Sequence, residues 1–425
     1  MFELFLIVFS FSVGLINLAP LFEIPSPWGD FNAEDILLLT LLVFIVPSYI
    51  RQRKKLFSLP FKNLERAWIV FILLLAVASF LSPAESLTER LVHVRFVQGY
   101  LLFFPTVAVI TSERRLRLFA GFGLLIAVAG TILTVLQSLH GLENLFDSPF
   151  YDIGAWGGNK QIVEGITRVN LPVSNWIAYV ILIALAIQLL KPNLSQGVVI
   201  GVLCITILLN FARSLWLGML AAVFVELVVL MYVGAIKWAR VSKIMVLPVS
   251  VAIVVIAAPL LGLQGLSDAL GGRIEEGIFF FSAGAGTWGV RLAQSAAAYT
   301  LWSENWLFGI GTAYRSEFGG FIDMGLPSVL VSVGVVGFLA FVWLFGSCWR
   351  VGLRAAKLAF RQQSLYPVAI GVSVPALITL MLVYQQWLTP YVASVLGVAS
   401  AIAAVSPVVC DVGDVRLARQ FDRQL

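Results

Sequence analysis

Charge is scarce in this chain: 12% of its 425 residues are Asp, Glu, Lys or Arg, against 60% that are apolar. That leaves too little polar surface to cover a soluble globule of this size, so the solvent for most of the chain is lipid. Histidine and cysteine are scarcer still, at two and three residues. Cys204 falls inside an apolar run, Cys348 at the end of one and Cys410 in the last stretch, a spacing that gives neither a disulfide framework nor a Cys/His metal cluster. Asp-x-Asp is also missing, so nothing in the sequence calls for a divalent metal or any other cofactor. Short alternating segments are absent too. Barrel strands would alternate over about ten residues, whereas the apolar runs here are long and unalternating, which leaves helices as the spanning element.

What is present is a succession of such runs, with a mean hydropathy of +0.95. They predict an all-α, polytopic membrane bundle of about twelve spans, at roughly 3–22, 35–50, 67–83, 97–112, 116–139, 173–190, 196–212, 215–235, 243–263, 327–347, 366–384 and 389–408. The first run opens Met1-Phe2-Glu3-Leu4, without a basic leader or a small-residue cleavage site, and is read as a retained span. A net charge of +5 would suit an acidic partner in a soluble protein; in a membrane protein Lys and Arg record topology, and nucleic acid is not implied. Twenty of the 28 Lys and Arg fall on one face: sixteen in the links holding Arg51 to Arg66, Arg114 to Arg117, Lys237 to Lys243 and Arg350 to Arg361, and four at Lys191, Arg416, Arg419 and Arg423. That face is expected to be cytoplasmic and to hold both termini. The chain then forms one transmembrane domain over 1–425, with a long outer stretch at 264–326 and a cytoplasmic tail at 409–425. A second long outer stretch covers about 140–172, and long loops on one face are where function concentrates. Within 264–326, Thr287 to Trp302 reads as an amphipathic interfacial helix, with Trp288, Trp302 and Trp306 suited to headgroup depth.

The basic residues that break the rule are the informative ones. Eight lie on the outer face: Arg90, Arg95, Lys160, Arg168, Arg213, Arg273, Arg291 and Arg315. Seven are arginine, whose planar donors grip phosphate oxygens in pairs. Arg213 sits in a very short turn, Asn210-Phe211-Ala212-Arg213-Ser214-Leu215, between two apolar spans. It reads either as an interfacial Arg snorkelling to headgroups or as part of an anion site at the mouth of the bundle. Arg291 precedes a Gly-x-Gly turn at Gly309 and Gly311, whose missing side chains would let backbone come close to a ligand. Glu226, midway along its span, is an ionisable group where one is expensive. It reads as a neutral acid bonded to a neighbouring helix or as the proton site of a carrier. No inverted repeat and no matched pair of broken spans accompanies it, which weakens the carrier reading.

Three passages resemble the O-antigen ligase and Wzy-type O-antigen polymerase superfamily, polytopic glycosyltransferases of the bacterial envelope. Phe211-Ala212-Arg213-Ser214-Leu215-Trp216-Leu217 is similar to that family's Ser-Arg turn, with Ala212 in place of the Ser. Arg291 followed by Glu304-Asn305-Trp306-Leu307-Phe308-Gly309-Ile310-Gly311 resembles its Arg … Asn-Pro-Leu-Phe-Gly-Val-Gly passage, with Trp306 for Pro. Asp323-Met324-Gly325 leading to Val333-Gly334-Val335-Val336-Gly337 resembles its third motif, which in the ligase branch begins with His; Asp323 stands there and leans the reading toward the polymerase branch. Gly165 to Pro172, with Arg168, resembles the lead into the sixth span.

The resemblance implies an inverting, metal-independent transfer on the periplasmic face, from an undecaprenyl-diphosphate-linked glycan donor to a hydroxyl of a glycan acceptor. Arg213 and Arg291 would stabilise the diphosphate leaving group and Asp323 would take the acceptor proton. Arg168, Arg90, Arg95, Arg315, Gly309 and Gly311 would line the substrate. His93, and the early acids Asp30, Glu34 and Asp35, compete with Asp323 as base. The lipid bilayer and a chain-length regulator or flippase complete the implied partners. A ligase acting on lipid A-core, and a transporter or lipid-linked glycan flippase, are the alternatives.

Overall fold

In the computed structural model the described residues are 23–24, 31–32, 45, 47–51, 61–81, 98–140, 161–163, 166–168, 173–210, 213–237, 287–311, 325–384 and 390–421. Among the described residues two antiparallel strand pairs accompany the helices: β1 (Glu23–Ile24) pairs with β2 (Phe31–Asn32), and β3 (Gln161–Val163) with β4 (Ile166–Arg168). The helices are α1 (Phe61–Phe80), α2 (Gln98–Leu101), α3 (Phe103–Val109), α4 (Glu113–His140), α5 (Val173–Leu190), α6 (Leu194–Leu209), α7 (Arg213–Val233), α8 (Thr287–Glu304), α9 (Gly325–Arg361), α10 (Leu365–Tyr384) and α11 (Pro390–Phe421). Six of these, α1, α4, α5, α7, α9 and α10, hold a stretch long and apolar enough to cross a membrane among the described residues. Twenty residues, as in α1, rise about 30 Å, the thickness of the hydrocarbon core. The surface agrees with a lipid solvent, since Leu73, Leu125, Leu217, Phe224 and Leu339 are large apolar side chains left exposed on these same helices. The chain is therefore an α-helical membrane bundle.

The expected spans at 3–22 and 243–263, and most of that at 35–50, lie outside the described residues. The others all form helices, six of them the long apolar ones named above, while those at 97–112, 196–212 and 389–408 hold shorter apolar stretches; two differ in kind. The span expected over 97–112 is two short helices parted at Leu102. Pro105 accounts for the break: it has no N–H to give the carbonyl of Leu101, and its ring crowds that turn. The span expected over 327–347 runs on to Arg361 and is broken at Gly334. At 37 residues α9 is longer than a bilayer is thick, so its last turns, with Arg350, Arg354, Lys357 and Arg361, belong to the polar end.

Close packing rests on small residues where helices cross. A Cβ on Gly371 of α10 would stand 2.5 Å from the backbone nitrogen of Ala356, and one on Gly352 2.8 Å from the Gly371 carbonyl oxygen. Gly352 and Ala356, one turn apart on α9, form the groove that receives α10. Aromatic rings fill the junction of α1, α2, α3 and α9: Trp68 stacks on Phe103 at 5.3 Å, and Phe71 meets Phe341 at 5.6 Å. Hydroxyls buried within the helices bond back to the preceding turn, Thr131 to the Ala127 carbonyl and Ser332 to that of Ser328.

Helix direction alternates, so the bundle has two distinct ends. At one, Lys357 Nζ donates to Tyr232 Oη at 2.9 Å, and Glu113, Ser195 and Ser364 surround one cavity. This is the end that carries Arg114, Arg115, Arg117, Lys191, Lys237 and the last turns of α9. It is called the basic end below. The far end holds the C-terminus of α1, the start of α5, the end of α6 and the start of α7.

Candidate functional site

The far end is built around a buried pair. Asn210, which caps the end of α6, donates from Nδ2 to Ser174 Oγ at 3.1 Å on the first turn of α5. Both residues are buried. This bond ties the short turn between α6 and α7 to the chain entering α5, and so brings two sequence-predicted residues to the same end. Arg213 is the first residue of α7, three beyond Asn210. Arg168 is the last residue of β4, paired with Gln161, shortly before α5 begins; β4 lies against α4. Ser174 and Asn210 stood beside the predicted arginines, but nothing in their spacing announced that they would bond.

Arg291 lies on α8, which forms over the residues expected for the interfacial helix. The C-terminal part of α8 packs on α9 through Ala298 and the following Ile310 against Val331. The chain then runs as Trp306 to Gly311 into the break of α9. Ile310 donates its N–H to the Val331 carbonyl at 2.8 Å, while Val335 and Val336 donate theirs to the Trp306 and Leu307 carbonyls at 2.9 and 3.2 Å. Interrupting a helix frees polar backbone groups that a bilayer cannot satisfy, and the tucked segment satisfies them. Trp302 Nε1 also donates to the Trp306 carbonyl at 3.2 Å. Trp306, Leu307 and Phe308 keep their side chains exposed, as suits an interfacial belt.

Three glycines make this possible. Gly334 has φ 62° and ψ −166°, a combination reserved for glycine. Gly309 and Gly311 have φ of 70° and 65°. A Cβ on Gly309 would meet the backbone of Val331 to Val333 at 2.5–2.6 Å, and one on Gly311 the backbone of Ser79 at 2.2–2.4 Å. The close approach they permit is to the chain itself, joining α8, α9 and the end of α1.

Asp323 lies outside the described residues, two positions before α9 begins, as do Arg90, Arg95, Arg315, His93, Asp30, Glu34 and Asp35. Glu226 is buried in the body of the bundle, where Ser373 Oγ of α10 lies 3.2 Å from its Oε1 and donates to the Ala369 carbonyl at 2.7 Å. Among the described residues no cation pairs with Glu226. This is the arrangement of an acid bonded to a neighbouring helix. Among the described residues no group of three His, Cys, Asp or Glu comes together as metal ligands.

Comparison with known proteins adds no relative: no family model and no curated protein matches the chain.

Proposed function

We propose that the chain is a glycosyltransferase of the O-antigen polymerase and ligase superfamily. It would cross a bacterial inner membrane about twelve times with both termini in the cytoplasm and act on the periplasmic face. The donor is an undecaprenyl-diphosphate-linked glycan and the acceptor a hydroxyl of a second glycan. The observation that supports this best is the Asn210–Ser174 bond, which holds Arg168 and Arg213 at one end of the bundle, opposite the basic end. The helix bearing Arg291 docks on α9, whose start Asp323 precedes.

The chemistry follows from charge. An acceptor oxygen attacks the anomeric carbon from the face opposite the diphosphate; the new C–O bond forms as the sugar–phosphate bond breaks, with inversion. The proton passes to the Asp323 carboxylate, and the electron pair leaves on the diphosphate. Arg213 and Arg291, with Arg168 at the same end as Arg213, balance that growing negative charge, so the reaction needs no divalent metal. Arg90, Arg95 and Arg315 belong to the same outer set and would hold donor or acceptor.

The transporter reading draws on Glu226 and on the break in α9. A carrier's broken helix leaves its ends open to substrate near the midplane. Here the Trp306 and Leu307 carbonyls occupy the freed N–H groups of Val335 and Val336, which favours the enzyme, while Glu226 Oε1 lies beside Ser373 and its Oε2 has no hydrogen-bond partner. The test is to incubate the purified chain in proteoliposomes, with a chelator present, with a lipid-diphosphate oligosaccharide and, separately, with lipid A-core as acceptor. Longer lipid-linked glycan supports the polymerase; transfer to lipid A-core would make it the ligase; movement of unaltered lipid across the bilayer would overturn the enzyme reading.

A further inference from the structure

At the basic end a cavity of about 640 Å³ opens among α4, α5, α6, α10 and α11, far from the arginines discussed above. Its size lies within the ~300–1,000 Å³ of ordinary ligand sites. Its deep walls are apolar, including Phe119, Leu124, Trp176, Val180 and Ile402. Along α4 it reaches from Glu113 to Leu124 and along α5 from Ile187 to Trp176. Eleven helical rises of about 1.5 Å give a depth of roughly 16 Å, one leaflet of a ~30 Å hydrocarbon core.

The mouth has a different character. Three helices begin there: Glu113 and Arg117 are in the first turns of α4, Ser195 and Gln196 in that of α6, and Leu365 and Tyr366 in that of α10. The positive ends of three helix dipoles thus converge on one opening. Arg117 is exposed, with Arg114 and Lys191 on the same end, and Glu113 offsets part of that charge through its ion pair with Arg117. Gln196 Oε1 is shut off from solvent with no hydrogen-bond partner, an acceptor left waiting for a donor.

We propose that this cavity binds an anionic phospholipid of the leaflet at the basic end. One acyl chain fills the slot, and the phosphate sits at the three helix starts and Arg117. Basic openings between helices on the cytoplasmic side suit such headgroups. The inference is independent of the glycosyltransferase reading, because it concerns the opposite end.

Native mass spectrometry of the purified full chain with added phosphatidylglycerol or phosphatidylcholine tests it. Gly121 lines the cavity, and a Cβ there meets nothing within 4 Å, so Gly121→Phe starts without a clash at its Cβ and is expected to fill the slot. Gly201 is equally open but outside the cavity, which makes Gly201→Leu the folding control. The expected result is a preference for phosphatidylglycerol of about fivefold, matching one basic contact. Gly121→Phe lowers its binding about tenfold, as for roughly two methylenes expelled from the slot. Gly201→Leu leaves binding unchanged, and Arg117→Ala removes the headgroup preference while chain binding persists. Wild-type binding in Gly121→Phe would overturn the site, and equal binding of the two lipids would overturn its anionic headgroup.

Discussion

Gly334 and Leu307 meet backbone to backbone: a Cβ on Gly334 would stand 2.3 Å from the carbonyl oxygen of Leu307. That contact is the pivot of the far end, because it lets the chain after α8 repair the interruption in α9 and fixes α8 against the rest of the bundle.

Replacing Gly334 with Ala should therefore destabilise the protein. The backbone conformation alone costs about 1–3 kcal/mol in a non-glycine residue, and the clash with Leu307 adds to it. Thermal unfolding in detergent should show a lowered midpoint for Gly334→Ala, and for Gly309→Ala and Gly311→Ala as well. An unchanged midpoint with lost turnover would return the glycines to a substrate role.

The crossing of α9 and α10 gives a second expectation. Gly371→Leu drives a side chain into the backbone of Ala356, and overpacking of this kind costs about 1–3 kcal/mol. Loss of the monodisperse peak in size-exclusion chromatography, or a lowered unfolding midpoint, would register it. The conservative Gly371→Ala should do less harm than Leu.

Glu226→Gln keeps the shape of the side chain and its bond to Ser373. If Glu226 is a structural acid, stability should change by no more than about 1 kcal/mol, the worth of one hydrogen bond, and turnover should stay at the wild-type level. Glu226→Gln that folds normally but abolishes activity would favour the carrier reading.

Much of the bundle was legible because a bilayer leaves the sequence few choices: an apolar run of about 20 residues must be a helix, and α5 spans the residues its run announced. A helix also forms over Thr287–Glu304, where one was expected. The break at Gly334 was not, since apolar residues continue through it and hydropathy is blind to φ; three glycines at 309, 311 and 334 were the available signal. Pro105, in plain view, marked the break between α2 and α3. Of the candidate site, the arginines stood out in the sequence as charges on the face expected to carry few, whereas the Asn210–Ser174 bond that holds Arg168 and Arg213 at one end depends on a contact 36 residues apart in the chain.

Arginines at the far end are proposed to neutralise a departing diphosphate. That role is tested most directly by the single-turnover release of undecaprenyl diphosphate from a saturating lipid-diphosphate oligosaccharide, comparing wild type with Arg213→Ala, Arg291→Ala and Asp323→Asn. Each Arg variant should fold normally, with release slowed roughly 10²–10³-fold. Asp323→Asn should bind donor but fail to turn over. Wild-type release from both folded arginine variants would contradict the account.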